Sequence, residues 1–403
     1  MYDLKRRSIM GFLFKLFERI GTQVVSLAIS IILARLLEPA EFGVASLAEI
    51  FVLFFNIMAS YGLGNSLIQK KDADELDIST AFFAGLALSI VLYIMLFSIS
   101  PMVEAYYGYQ EYNFTWIIRT LGIVVIIAPI RSILTAIISK EFKFNFIFIS
   151  SLGSIIVSGI VGINLAYMGY GTWALVFQYI ANEFAVLSIL WVLVKWKPKF
   201  LFSLTRFKLI WSFGWKLIIV GIMNTLYTQI RSLAISKNYT AGDLAFYNKG
   251  LRLARLAPEE LSFSLVSVLF PTFSTVGDKN KLFPILRKSI RVSNYICIPI
   301  IFGLFSVADT LTIILFTEKW IPMIDFLRIF CLSYVFYISQ SIQSEGIKSI
   351  GRSDILLWIS IVCKGVGILI LVLTFQYGML VISLGYMFSL YLEAVVFSIV
   401  SRV

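Results

Sequence analysis

The residues with most to offer chemically sit inside long apolar stretches. Between positions 9 and 35, Lys15, Arg19, Thr22, Ser26 and Ser30 recur at helical spacing. Between 209 and 236, Asn224, Thr228 and Arg231 follow one another at i, i+4 and i+7. Between 243 and 270 the series is Asn248, Arg252, Arg255, Glu259 and Ser262. Each spacing puts its polar groups on one helix face. A charge at the centre of a bilayer costs about 2.5–3.5 kcal/mol, so such a residue is expected to face a partner or a watery cavity. Arg255 and Glu259 can pair at i, i+4, which singles out Arg252 for ligand contact. Pro258 removes a backbone hydrogen bond from the same helix and is expected to bend it. The guanidinium fork matches phosphate oxygens bidentately, so these cations point to an anionic, phosphate-bearing ligand. Arg19, Arg231, Arg252, Arg255, Asn224 and Thr228 are therefore the candidate binding residues. Glu18, Glu49, Glu183 and Glu259, with Pro258, are candidates for structural or coupling roles. Arg119, Arg131 and Arg328 also lie within apolar stretches, where snorkelling or a structural ion pair competes with a functional reading.

Other chemistries find little to work with. The sequence has no histidine, which removes imidazole acid/base catalysis, histidine metal sites and histidine proton relays. Cys297, Cys331 and Cys363 all lie in apolar segments with no C-x-x-C spacing and read as packing residues. No phosphate-binding glycine loop, zinc-protease motif or nucleophile elbow occurs. The expectation is a protein that is not an enzyme and carries no cofactor and no metal.

The elements that must position these residues follow from composition. Of 403 residues, 59% are hydrophobic and 14% charged, and mean hydropathy is +0.89. Soluble domains carry about 45–50% apolar and about 25% charged residues, so a soluble enzyme, a coiled coil and a disordered chain are excluded. One helical span needs about 20 apolar residues, and the length suits about twelve. The expected spans are 9–35, 42–68, 79–100, 115–139, 145–168, 172–194, 209–236, 243–270, 288–308, 324–346, 354–375 and 379–401. Short alternating segments of the β-barrel kind are missing. The first apolar segment is too long for a signal peptide, holds Lys15, Glu18 and Arg19, and lacks a small-residue cleavage site, so no cleavage is expected.

Loop charges alternate in register with these spans. One side collects Lys5, Arg6 and Arg7, then Lys70 and Lys71, Lys140 and Lys143, and the basic segment 195–208. Lys279 to Arg291, Lys348, Arg352 and Arg402 join that side. The other side has Arg35, Lys237 and Lys319. By the positive-inside rule both termini are expected in the cytoplasm. Much of the net charge of +11 is then a topology signal facing anionic headgroups, with no nucleic-acid partner implied.

The halves also look alike. Ile31 to Arg35 followed by Pro39 to Gly43 is echoed by Leu233 to Lys237 followed by Ala241 to Ala245. In both, a basic residue ends one span and an acidic residue opens the next helix, where carboxylates are favourable. The expected architecture is an all-α membrane protein with two parallel six-helix bundles around a central cavity. Residues 1–195 form one bundle, 196–208 a cytoplasmic linker and 209–403 the other.

Several segments, in order, resemble the polysaccharide-biosynthesis flippases of the multidrug/oligosaccharidyl-lipid/polysaccharide exporter superfamily, in particular the colanic-acid-exporter type. They are Ile31 to Gly43, Leu67 to Lys71, Gly169 to Ala174, Trp211 to Lys216, Phe246 to Gly250, Leu315 to Trp320 and Gly351 to Asp354. The resemblance covers nearly the whole chain, and the order of seven weak motifs is its strength. It implies a bacterial inner-membrane flippase moving undecaprenyl-diphosphate-linked oligosaccharide from the cytoplasmic to the periplasmic leaflet. It implies a substrate in contact with membrane lipids and a neighbourhood of polysaccharide polymerase machinery. Related lipid-linked-precursor flippases use arginines on spans 1 and 8, a part that Arg19 and Arg252 or Arg255 can take here. Relatives often continue with further spans beyond the position of Val403.

Two other readings compete. A multidrug or other small-molecule/ion antiporter of the same superfamily would want net acidic cavity residues, whereas basic residues outnumber acidic ones within these spans. A membrane-embedded polymerase or glycosyltransferase would want a sizeable outer loop, and 101–114 and 309–323 are short.

Overall fold

A computed structural model describes Arg19 and residues 21–70, 72–275 and 279–400. Glu18 and Lys15 lie outside the described residues. Every regular element among those described is helical. Ten helices are long and apolar enough to cross a membrane. The two remaining expected spans are 9–35 and 243–270. Gly21–Leu36 (α1) is short in its described part. Ala241–Thr275 (α8) is a helix of 35 residues but polar, carrying Asp243, Lys249, Arg252, Arg255, Glu259 and Glu260.

Contacts divide the chain into two compact units, Met1–Gly242 and Asp243–Val403. The first holds α1, Pro39–Gln69 (α2), Glu75–Tyr107 (α3), Phe114–Lys140 (α4), Phe144–Tyr167 (α5), Thr172–Val194 (α6) and Leu204–Asn238 (α7). Helix α7 packs onto α2 and α3, and the 196–208 segment ahead of it is anchored to the same unit. Trp196 meets Phe82 edge to face at 5.8 Å, and Phe200 stacks on Phe83 at 5.5 Å. The backbone N–H of Ser203 donates to Thr80 Oγ1 at 3.2 Å. Lys199 pairs with Glu75 at 2.9 Å and Arg206 with Asp74 at 3.2 Å. The segment is a strap over the N-terminal end of α3.

Local sequence explains the helix ends. Pro39 opens α2 behind a reciprocal cap in which the Glu38 backbone N–H donates to Glu41 Oε2 at 2.8 Å. Asp74 and Asp77 form the same reciprocal cap on α3. Gly171, immediately before α6, has φ +54, and a Cβ there would lie 2.3 Å from Glu41 Oε1. Only glycine suits that position. Within α2, residues Ile57–Tyr61 form one π turn, a wider, under-wound turn common at functional sites.

Apolar packing sets the first unit together. Ile29, Leu33 and Leu37 pack with Ala45, Ala166, Ala174 and Leu175, so α1 rests on α2, α5 and α6. Leu63, Leu67, Ala81, Phe82, Ile133 and Ile210 join α2, α3, α4 and α7. At Gly62 a Cβ would lie 2.6 Å from the Gly214 carbonyl oxygen, so α2 and α7 touch backbone to backbone, as small residues permit between membrane helices.

The second unit contains α8, Lys279–Ser306 (α9), Ala308–Phe316 (α10), Met323–Ser349 (α11), Ser353–Thr374 (α12) and Met379–Val400 (α13). Tyr247 of α8 lies against Phe330 at 5.0 Å and Phe326 at 6.2 Å. Ile347, Ile359, Cys363 and Phe397 bind α11, α12 and α13. The three cysteines are buried and unoxidised, as packing residues should be.

Candidate functional site

The first unit contains an open cavity of about 600 Å³ lined from five helices, α1, α2, α4, α5 and α6. Its polar wall includes Ser60, Asn65, Arg131, Ser132, Thr135, Ser150, Ser151, Ser154 and Asn182. The π turn ends at the cavity and brings Ser60 and Tyr61 onto its wall. Apart from Asn182 at the middle of α6, the lining residues lie in the halves of their helices nearest Lys70, Lys140, Lys143 and Lys195. The cavity thus occupies the basic end of the unit.

One charged pair stands at this wall. Arg131 Nη1 donates to Glu183 Oε1 at 3.0 Å. Glu183 is buried, and its second oxygen, Oε2, has no hydrogen-bond partner. Tyr179 lies within electrostatic reach of Glu183, Glu49 and Arg131. Pairing is what a carboxylate in an apolar bundle requires.

The second unit has its own polar interior. Arg255 donates to Glu259 from Nε at 2.8 Å, and its Nη2 lies 2.6 Å from the same oxygen. Tyr334 and Tyr386 share a hydrogen bond at 3.1 Å and lie within electrostatic reach of Arg255. Ser262 donates to Ser341 at 2.6 Å, and Asn294 and Ser339 exchange hydrogen bonds at 2.9 and 3.1 Å. Lys249 is buried with its ammonium over Phe316 at 5.6 Å and Trp320 at 5.3 Å, a cation–π setting.

The sequence-derived residues are distributed as follows. Arg231 is buried, with its guanidinium 5.2 Å from the Tyr227 ring. Asn224 and Thr228 of the same stripe are exposed. Arg252 is exposed, whereas Arg255 makes the expected pair with Glu259. Pro258 is buried inside a helix that runs on through it. Arg19 and Glu49 are half-buried. Arg19 accepts a 3.1 Å hydrogen bond at its carbonyl from Thr22, which lines the cavity one turn further on. Arg231 belongs to the first compact unit and Arg252 and Arg255 to the second.

Sequence reasoning missed the hydroxyl-rich wall. Arg131 and Thr135 at i, i+4, and Ser150 and Ser154 at i, i+4, carry the helical period that could have signalled it. Serine in a membrane helix is so often a packing residue that the pattern alone did not stand out.

Outside the spans, Asp74 at the α3 cap is held below the usual carboxylate range. The foremost cause is the hydrogen bond from the Asp77 backbone N–H, with Arg206 and Lys70 adding favourable charge. Asp77 itself is buried and meets Lys70 at 2.6 Å and Arg206 at 3.6 Å.

Residues 32–325 match the family described as polysaccharide biosynthesis protein. The succinoglycan biosynthesis transport protein ExoT of Rhizobium meliloti (strain 1021) is 24% identical, over 81% of this chain and 66% of that protein. The lipopolysaccharide biosynthesis protein WzxC of Escherichia coli (strain K12) is 26% identical, over 75% of this chain and 61% of that protein. The teichuronic acid biosynthesis protein TuaB of Bacillus subtilis (strain 168) is 24% identical, over 75% of this chain and 63% of its own length. The matched part therefore spans less than two thirds of each of these relatives. Among solved structures, the lipid II flippase MurJ in an inward closed conformation aligns with a TM-score of 0.78 at 14% identity, covering 97% of this chain and 88% of that one. An inward-facing multidrug resistance MATE family transporter aligns at 0.70 and 14% identity, covering 94% of each. At such identities the likeness speaks of fold, and it is the fold of membrane transporters. The family match covers well over half of the sequence and spans both compact units, so the chain belongs to the polysaccharide biosynthesis protein family.

Proposed function

We propose that this protein flips undecaprenyl-diphosphate-linked oligosaccharide repeat units across the bacterial inner membrane by alternating access. The carrying observation is Arg231, a guanidinium buried in a helix apolar enough to span a bilayer, in a chain of this family. A guanidinium can hold phosphate oxygens bidentately, and a diphosphate supplies up to about three negative charges. Arg19, Arg252 and Arg255 share the headgroup in this reading, with Asn224 and Thr228 at its edge, while the polyprenyl tail stays in lipid. Glu49, Glu183 and Glu259 act as structural or coupling acids. Both termini are cytoplasmic, because the basic loops face that side. The moving bodies are the helices of 1–195 and of 209–403, with Pro258 easing helix bending. Polymerase machinery is the natural neighbour, and neither a cofactor nor a nucleic acid takes part.

The test is transport of a fluorescent undecaprenyl-diphosphate oligosaccharide in proteoliposomes, alongside surface polysaccharide in cells lacking other flippases. Arg231→Ala should remove most transport while membrane levels of the protein stay normal. Normal transport by a stably inserted variant with Arg19, Arg231, Arg252 and Arg255 changed to Ala and Glu259 to Gln would refute headgroup binding by these residues.

A further inference from the structure

The cavity of the first unit has a wall of one chemical kind. Ser132 donates its hydroxyl proton to the Ser60 carbonyl at 3.1 Å, and Thr135 to the Arg131 carbonyl at 2.9 Å. Ser150 and Ser154 donate to the carbonyls of Ile147 and Ser151 at 2.9 and 3.0 Å. Asn65 and Asn182 direct an amide N–H to the Tyr61 carbonyl at 2.8 Å and to Ser154 Oγ at 3.3 Å. A hydroxyl has one proton and two lone pairs. With its proton engaged, each of these hydroxyls presents its lone pairs to the cavity, and each amide has its oxygen to offer, Asn65 keeping a second N–H as well. The wall is therefore rich in acceptors, with Arg131 its one cationic lining residue among the described residues.

That polarity discriminates between the parts of a lipid-linked glycan. A diphosphate brings acceptors only, which an acceptor wall repels. Sugar hydroxyls bring donors, which it satisfies, and lining residues such as Ile147, Ile155 and Val186 suit the C–H faces of a sugar ring. The volume of about 600 Å³ is that of a small-molecule pocket. A metal cation, held by oxygens at about 2.0–2.6 Å, would leave it largely empty.

We infer that this cavity is a glycan subsite: it binds the sugar hydroxyls of the substrate through the acceptor wall around Thr135, Ser150, Ser154 and Asn182, and leaves the diphosphate to cations elsewhere. The inference rests on the flippase reading given above. The Arg131–Glu183 pair then serves two purposes. It holds α4 to α6 across the cavity, and it offers the remaining N–H groups of Arg131 to a ring oxygen or an acidic sugar substituent.

The experiment compares two kinds of probe bound to the full chain in nanodiscs. One is bare undecaprenyl diphosphate; the other is the same lipid carrying one glucose, galactose or N-acetylglucosamine. At least one glycosylated probe should bind about tenfold more tightly than the bare lipid, the size of one or two net hydrogen bonds. Thr135→Val combined with Asn182→Leu should bring that ratio close to one while bare-lipid affinity stays within about twofold. Thermal melting checks that the double variant is folded, and Thr135→Val alone, nearly isosteric, should lower the ratio part of the way. A ratio that survives both variants overturns the inference, as does an equal loss for both probes. Loss of the wild-type preference when choline replaces sodium would assign the wall to a cation and overturn it too. If the wild type binds bare lipid but prefers no glycosylated probe, the glycan subsite fails and the flippase reading stands. Binding of neither probe sinks both.

Discussion

Arg252 and Arg255 are three positions apart on one helix, yet their surroundings separate them. Arg255 is held by Glu259 with two nitrogens on one oxygen, while Arg252 is exposed. Charge-assisted pairs are strong, and removing one partner leaves the other charge stranded. Arg255→Ala should therefore lower protein abundance, and Glu259→Gln in the same chain should restore much of it, as quantitative immunoblotting of membranes would record. Arg252→Ala should leave abundance unchanged and cut polysaccharide export by about tenfold or more. Arg252→Lys should retain part of the activity, because charge persists while the fork geometry is lost. Equal loss of abundance in Arg252→Ala would assign that residue to the scaffold instead. Much of this was legible beforehand, since the i, i+4 spacing of Arg255 and Glu259 predicted their pair. The exposure of Asn224 and Thr228 beside a buried Arg231 was not, because periodicity names a face without naming what covers it.

Helices in the first unit are joined by contacts too close for ordinary side chains. The Gly62 position faces the Gly214 backbone, so Gly62→Val forces α2 and α7 apart. Overpacking of this kind costs about 1–3 kcal/mol, and the detergent-solubilised variant should melt several degrees lower. An unchanged melting temperature would mean that the contact is not maintained. The strap at 196–208 is held by charge as well as by rings. The Asp74 carboxylate has its pKa lowered by the Asp77 N–H, by Arg206 and by Lys70. A depressed folded-state pKa gives stability that is complete above the unfolded value, about 4, and is lost as pH falls through the folded value. A nitroxide at Lys197 should accordingly keep its restricted spectrum from neutral pH down to about pH 4 and gain mobility below. Mobility already rising between pH 6 and 5 would contradict the assignment.

On the scale of the whole molecule, the alternation of basic and neutral loops makes a statement about orientation that the helices themselves do not. Single cysteines at 108 and 200, in a variant lacking the three buried native cysteines, can be tested with a membrane-impermeant thiol reagent in cells whose outer membrane alone is permeabilised. Labelling is expected at 108 and protection at 200; the reverse would turn the topology over. What the sequence by itself determined is the part governed by local rules. The thickness of the apolar layer sets the length of a span, the helical period sets which polar groups share a face, and charge at span ends sets orientation. Ten long apolar helices, the caps at Glu38 and Asp74 and the Arg255–Glu259 pair all follow from neighbours in sequence. Only the tertiary structure decided that Arg131 meets Glu183 across 52 positions. The same holds for the strap that fixes α7 to the first unit, and for the serines of α4 and α5 that close on one cavity. Those outcomes depend on which helix faces lie together. In a chain apolar on nearly every face, hydropathy distinguishes few of them, and close packing of small residues and satisfaction of buried polar groups make the choice.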